Sequence, residues 1–217
     1  MDIDPVVELV QVVVDGMLPS LNERLPAAIV EGGVDPYAEL ATGKDDVGFA
    51  HVKFSLTKLT GLSSLVIGRL TVLSAGPDEE NPRAISGTLG LLGHLDARLD
   101  AKMKGRARSP FAKAGFDGRV RMTGLTLSAI GTFTAVGTPS GMQLETVKLD
   151  ATSVDYDRLK AKVHGLGPLN ELLRPVEQTA LRTFKKEIRG AISRKVTRIL
   201  GNVLRDQIAA SSPAPAT

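Results

Sequence analysis

The 217-residue chain has no Cys and no Trp, and only two Tyr and six Phe. Without Cys there is no disulfide framework, no thiolate metal site and no cysteine nucleophile, and the redox compartment stays open. With an aromatic fraction of 4%, the interior must be built from Leu, Val, Ile and Ala with few ring-shaped anchors. No apolar run reaches the roughly eighteen residues that a bilayer-spanning helix needs. The N-terminus shows no basic segment ahead of a short apolar one, so no signal peptide is read there. A mature secreted chain carrying an added Met1 would look the same.

What is present is ordinary for a globular protein, at 42% apolar and 24% charged residues. A single elongated domain over residues 1–210 is expected, followed by a disordered tail, SSPAPAT, at 211–217. The net charge of +3 hides a polarity. Residues 1–100 carry 7 Lys and Arg against 15 Asp and Glu, whereas residues 101–217 carry 20 against 9. The cations concentrate at Lys102, Lys104, Arg106, Arg108, Lys113, Arg119 and Arg121, and again along the C-terminal segment. Such a patch attracts the phosphates of lipids or nucleic acids, unless it is only a solvated face.

Three regimes of periodicity follow one another. From Asp2 to about Ile29, residues Ile3, Val6, Val10, Val14, Met17, Leu21 and Leu25 recur at helical spacing behind Asp4-Pro5. Pro19 and Pro26 predict one helix to about Leu18 and a kinked or second piece after it. From Val47 the period becomes two. Its clearest stretch runs from Ile85 to Met103, nineteen residues of near-strict alternation that predict one strand bent at Gly87, Gly90 and Gly93. Phe116 to Ala135 predicts another long strand with a bulge at Thr123-Gly124, and Met142 to Tyr156 a third. Turns are expected at 76–82, 105–115 and 137–141. From Leu166 to Ile208 the apolar positions return to helical spacing, starting at Gly167-Pro168. At 1.5 Å per residue this helix is about 60 Å long, which matches the expected long strand.

These elements predict an α+β fold: a long, highly curved antiparallel sheet wrapped around a long C-terminal helix, plus an N-terminal helix. The layout resembles the tubular lipid-binding, BPI-like domain of the juvenile-hormone-binding and takeout proteins of insects, one half of a TULIP-like molecule. The residues carrying the resemblance are Asp4-Pro5, Val34-Asp35-Pro36, the Lys58-Leu59-Thr60-Gly61-Leu62-Ser63 turn, Leu166-Gly167-Pro168-Leu169 and Phe184-Lys185-Lys186-Glu187. It covers nearly the whole chain. The absence of Cys departs from the takeout pattern and is closest to the mite group 7 allergens. The resemblance implies a secreted arthropod carrier for a lipid, terpenoid or pigment, without catalytic residues.

The residues themselves agree with a carrier. Small and aliphatic side chains between a sheet and a helix leave room for an apolar ligand, in a tunnel or else in a fully packed core. The expected lining is Leu89, Leu91, Leu95, Leu99, Met103, Val120, Met122, Leu125, Leu127, Phe133, Phe184, Ile188 and Ile192. No catalytic, metal or cofactor site is expected. His51, His94 and His164 are scattered, no GxSxG elbow closes around Ser63, and the Gly87/Gly90/Gly93 spacing lies inside a strand. The carboxylate pairs Asp155/Asp157 and Asp96/Asp100 sit on wet strand faces. Nucleic acid is not expected as a partner, because the basic stretch 102–121 carries only Phe111 and Phe116 for stacking. The alternative reading is recognition of lipopolysaccharide or an anionic membrane through the basic half, aided by the cationic helix from Thr179 to Arg205.

Overall fold

The computed structural model describes residues 4–47, 49–139 and 141–211. Helix α1 (Pro5–Glu31) starts on Asp4, whose carboxylate accepts the Val6 N–H at 2.9 Å. It runs through Pro19 and Pro26 as one helix, where the sequence predicts a break. Each interior proline costs about 3 kcal/mol. The buried stripe Val10, Val14, Met17, Leu21, Leu25 and Ile29 continues past both, and each large apolar side chain buried beyond Pro19 returns about 1.5–3 kcal/mol. Ile3 and residues 212–217 lie outside the described residues; Ser211, expected in the tail, is the last residue of the final helix.

Nine strands follow: β1 (Tyr37–Val47), β2 (Ala50–Thr60), β3 (Leu65–Pro77), β4 (Ala84–Leu95), β5 (Leu99–Arg108), β6 (Lys113–Thr123), β7 (Thr126–Thr138), β8 (Gly141–Asp155) and β9 (Arg158–His164). They form a five-stranded sheet in the order β1-β2-β5-β6-β9 and a four-stranded sheet in the order β3-β4-β7-β8. All pairings are antiparallel. The chain therefore makes a hairpin in one sheet, crosses to the other, and repeats. The alternation from Ile85 to Met103 is not one bent strand but β4 and β5, in different sheets, broken at 96–98. The slip at Thr123-Gly124 is likewise a crossing rather than a bulge. The turn expected over 105–115 is confined to 109–112, with Gly105 and Gly115 inside β5 and β6. β1 and β9 were not anticipated.

The four buried Phe are Phe54, Phe116, Phe133 and Phe184. The three on strands share one device. Phe54, Phe116 and Phe133 pair across strands with Gly43, Gly105 and Gly87, and each ring lies where that glycine's Cβ would stand. Gly87 is thus needed for close approach to the Phe133 ring and the Ser74 carbonyl, rather than for bending.

A 3-10 segment (Gly167–Leu172) leads into α2 (Leu173–Glu187), a π-helical turn (Ile188–Ile192) and α3 (Ser193–Ser211), together the long C-terminal helix. α2 packs against both outer strands of the five-stranded sheet, β1 and β9, so that sheet curls around it. α1 packs on β3 and α3 on β8, and the two helices pack on each other across the four-stranded sheet. One continuous buried cluster runs through both halves.

All four sheet edges are tied to a helix by polar side chains. On β3, Gln11 donates to the Leu70 carbonyl at 2.9 Å and accepts the Val72 N–H at 2.7 Å. Asn22, three turns further along α1, donates to the Ile67 carbonyl at 2.9 Å and accepts the Ile67 N–H at 2.8 Å. On β8, Thr152 bonds Ser193 at 2.7 Å and accepts the Thr197 hydroxyl at 3.0 Å. On β1, Asp45 accepts from Thr179 at 2.8 Å and from Arg182 at 3.1 Å; on β9, Glu177 accepts the Val163 N–H at 3.1 Å. Unpaired edges template aggregation; on β3 and β9 these contacts occupy edge backbone groups, whereas on β1 and β8 they join side chains only.

Candidate functional site

The places where the chain crosses between sheets gather into one belt, and the turns quoted above for their resemblance build it. Asp35 is buried, and its Oδ2 accepts the Gly61 N–H at 3.1 Å, the Ser63 N–H at 2.7 Å and the Ser63 hydroxyl at 2.7 Å. Val34-Asp35-Pro36 and the 58–63 turn are therefore one unit, which fixes the β2-to-β3 crossing. Gly61 has φ +104°, and a Cβ there would meet the Arg98 carbonyl, so only glycine lets the β4-to-β5 crossing pass this close. Ser64 extends the link, accepting the Asp96 N–H on its carbonyl at 3.3 Å and the Ala97 N–H on its hydroxyl at 3.1 Å. The Leu95 N–H donates to the Leu125 carbonyl at 3.0 Å, and the Asp157 N–H to the Thr123 carbonyl at 3.2 Å, joining the remaining two crossings.

All thirteen residues expected to line a ligand site are buried within the common core cluster. They fall into three groups. Leu99, Met103, Val120, Met122 and Phe184 belong to the five-stranded sheet and α2. Leu89, Leu91 and Phe133 belong to the four-stranded sheet. Leu95, Leu125, Leu127, Ile188 and Ile192 meet at the belt, around a cavity of about 20 Å³ completed by Leu62, Leu65, Val154, Ser193 and Val196. The last five were not anticipated, although each lies at or beside a strand end or helix junction where the alternation slips.

Every cavity wall is aliphatic except Ser193, whose hydroxyl is bonded to Thr152. Its helical side is the π turn, where the backbone register departs from the α ladder and the long helix passes from one sheet to the other. A volume of about 20 Å³ holds one water-sized sphere. Pockets for drug-sized ligands begin near ~300 Å³. The cavity as it stands is therefore too small for a ligand of that size. Nothing in the cavity titrates. Asp78, outside this core in the β3-β4 turn, is held below its ordinary value of 3.8, first by the Asn81 N–H, against a smaller opposing effect of burial, and also by the Glu80 N–H and the Ser86 hydroxyl. Among the described residues, no group of three His, Asp or Glu is placed to hold a metal ion, and no helix is long and apolar enough to cross a membrane.

No protein-family model matches the chain, and no curated protein matches it in sequence. Among solved structures it is similar to Epiphyas postvittana Takeout 1, at 14% identity over 91% of this chain and 92% of that one, with a TM-score of 0.39. It is similar to lipopolysaccharide binding protein at 16% identity and a TM-score of 0.42, over 84% of this chain but 40% of that one. A third similarity, to Mmm1, has 14% identity and a TM-score of 0.26 over 79% and 68% of the two chains. Likenesses at this level leave function to be argued from the chain's own residues.

Proposed function

We propose that the protein is a single-domain, non-enzymatic lipid-binding carrier, spanning residues 1–210, that takes an apolar chain between its two sheets and the C-terminal helix. The observation that carries the proposal is the aliphatic cavity at the belt, set against the π turn in the middle of the long helix. A π turn exchanges α-helical hydrogen bonds for longer-range ones, and such turns occur frequently at functional sites. Here it faces leucines of the four-stranded sheet and of two crossings between the sheets, Leu62 and Leu125, and a ligand entering at the belt would extend from there along the continuous core. The drive is apolar burial at about 25 cal/mol per Å², with Ser193, bonded to Thr152, as the polar group in the cavity wall. The thirteen residues named from the sequence remain the proposed lining, widened by Leu62, Leu65, Val154 and Val196. The finer setting, a secreted arthropod carrier nearer the cysteine-free group 7 allergens than the takeout proteins, belongs to the same proposal.

Native mass spectrometry of the purified protein, followed by organic extraction, tests it. The expected result is a bound lipid or pigment lost on denaturation, and salt-insensitive uptake of a fluorescent fatty acid by the emptied protein. Leu127→Ala widens the cavity and should strengthen uptake, by up to about fiftyfold for three carbons of added apolar contact; Val196→Ile fills it and should weaken uptake by about fourfold for one methylene. A clean apo mass together with no probe uptake by either variant would sink the proposal.

A further inference from the structure

With aromatics so scarce, two of the six Phe stand in water at the same end of the molecule. Phe111 is 91% exposed and Phe49 is 54% exposed. Phe49 sits in the β1-β2 turn and Phe111 in the β5-β6 turn; β2 and β5 are neighbours, and both rings border one shallow depression with Pro110, Arg108 and Lys113. The Phe111 turn is held in shape. Ser109 is buried, its hydroxyl accepts the Phe111 and Ala112 N–H groups at 3.2 and 3.0 Å, and its own N–H donates to the Ala112 carbonyl at 2.8 Å. Phe111 is thus presented to solvent on a braced turn.

Behind the two rings lies the outer face of the five-stranded sheet. Lys44, Lys53 and Arg106 stand directly opposite one another across β1, β2 and β5, and Arg108 opposite Lys113. None of these five cations has a carboxylate within ion-pair distance among the described residues, because Asp45 is engaged by Arg182 and Asp46 by His51. Like charges placed opposite one another weaken a sheet, so folding does not explain the arrangement. Exposed rings ahead of a belt of unpaired cations fit one surface best, that of a bilayer: apolar groups enter the acyl boundary while cations rest on anionic headgroups.

We propose that this end of the protein docks on membranes containing anionic lipids, with Phe49 and Phe111 entering the interface and Lys44, Lys53, Arg106, Arg108 and Lys113 set on the headgroups. The surface is separate from the core and does not depend on the carrier reading. Flotation with phosphatidylserine–phosphatidylcholine vesicles tests it, using pure phosphatidylcholine vesicles as the reference. The expected result is flotation with the anionic vesicles only, declining with salt. Replacing both rings (Phe49→Ser with Phe111→Ser) should lower it about tenfold or more, the scale of losing two exposed aromatic anchors, with the melting temperature unchanged. Because the chain has no Trp, Phe111→Trp supplies the sole indole, and its emission should shift to the blue on anionic vesicles. No flotation, flotation indifferent to both Phe replacements, or an unshifted indole on floated protein would each overturn the proposal. Binding of heparin as tight as that of vesicles, with no dependence on the rings, would do so too, by showing a site for soluble polyanions.

Discussion

The two sheets are built alike inside and differently outside. Each presents an aliphatic inner face to the common core and has its edge strands tied to helix side chains. The strands of the five-stranded sheet carry thirteen Lys and Arg against five Asp and Glu, and those of the four-stranded sheet two against three. Where the first sets Lys102, Arg119 and Lys162 in one cross-strand row, the second sets hydroxyl pairs, Ser74 with Thr88 at 2.7 Å and Thr134 with Thr146 at 2.8 Å. Their edge ties follow the same division. Charged groups, Asp45, Arg182 and Glu177, hold β1 and β9, whereas neutral amides and hydroxyls hold β3 and β8. The outer surface of the four-stranded sheet serves its own cohesion. On the five-stranded sheet, Asp100 and Arg121 form a cross-strand ion pair at 2.9 Å, but the rows Lys44-Lys53-Arg106 and Lys102-Arg119-Lys162 oppose cohesion, which is a reason to look outside the molecule for what they serve.

The comparison breaks most visibly at the neutral edge. Replacing both amides (Gln11→Ala with Asn22→Ala) leaves backbone groups of β3 without their partners, at about 1–3 kcal/mol for each one that water cannot reach. A loss of about 3–4 kcal/mol in urea unfolding is expected, equal at low and high salt, with self-association in sedimentation velocity as β3 is uncovered. A salt-dependent loss would remove the distinction between the edges. At the charged edge, Asp45→Asn keeps the shape and weakens the contacts to Thr179 and Arg182. Arg182 is largely exposed, so the ion pair itself is worth at most about 1 kcal/mol. A loss of about 1 kcal/mol that shrinks as salt rises is expected from the same unfolding experiment. A loss unchanged by salt would assign the whole effect to the Thr179 hydrogen bond.

How far the sequence discloses this division depends on the feature. Alternation along Ile85–Met103 was legible, but the crossing inside it was not. Leu95 and Leu99 are four positions apart, so the buried parity is the same on both sides of the break. A strand that changes sheets with its parity intact looks like one strand. β1 was hidden because its tip, Lys44-Asp45-Asp46, is charged throughout. β9 does carry a signal, since Leu159, Ala161 and Val163 alternate with Arg158, Lys160 and Lys162. The buried residues of the candidate site were readable as an apolar set. Their meeting at the belt was not, because it depends on Asp35 reaching Gly61 and Ser63 and on a π turn whose residues look helical in sequence. The one-sided charge was readable as a half-chain total. Its concentration on one sheet face requires the register.

That register gives the smallest and most specific effect. Arg119 lies between Lys102 and Lys162, with no carboxylate within ion-pair distance among the described residues. Like charges directly opposite on one face cost roughly 0.2–1 kcal/mol per pair. Arg119→Thr removes the central charge from two such pairs while keeping a residue well suited to strands. The variant should therefore be more stable than the parent by about 0.5–1 kcal/mol at low salt, the gain fading as salt screens the row. A matching change on the other sheet, Thr134→Lys, should destabilise, because it breaks the hydroxyl pair with Thr146. If Arg119→Thr leaves thermal unfolding unmoved at low salt, the cation row carries no internal cost. The contrast between the sheets would then be one of composition rather than energy.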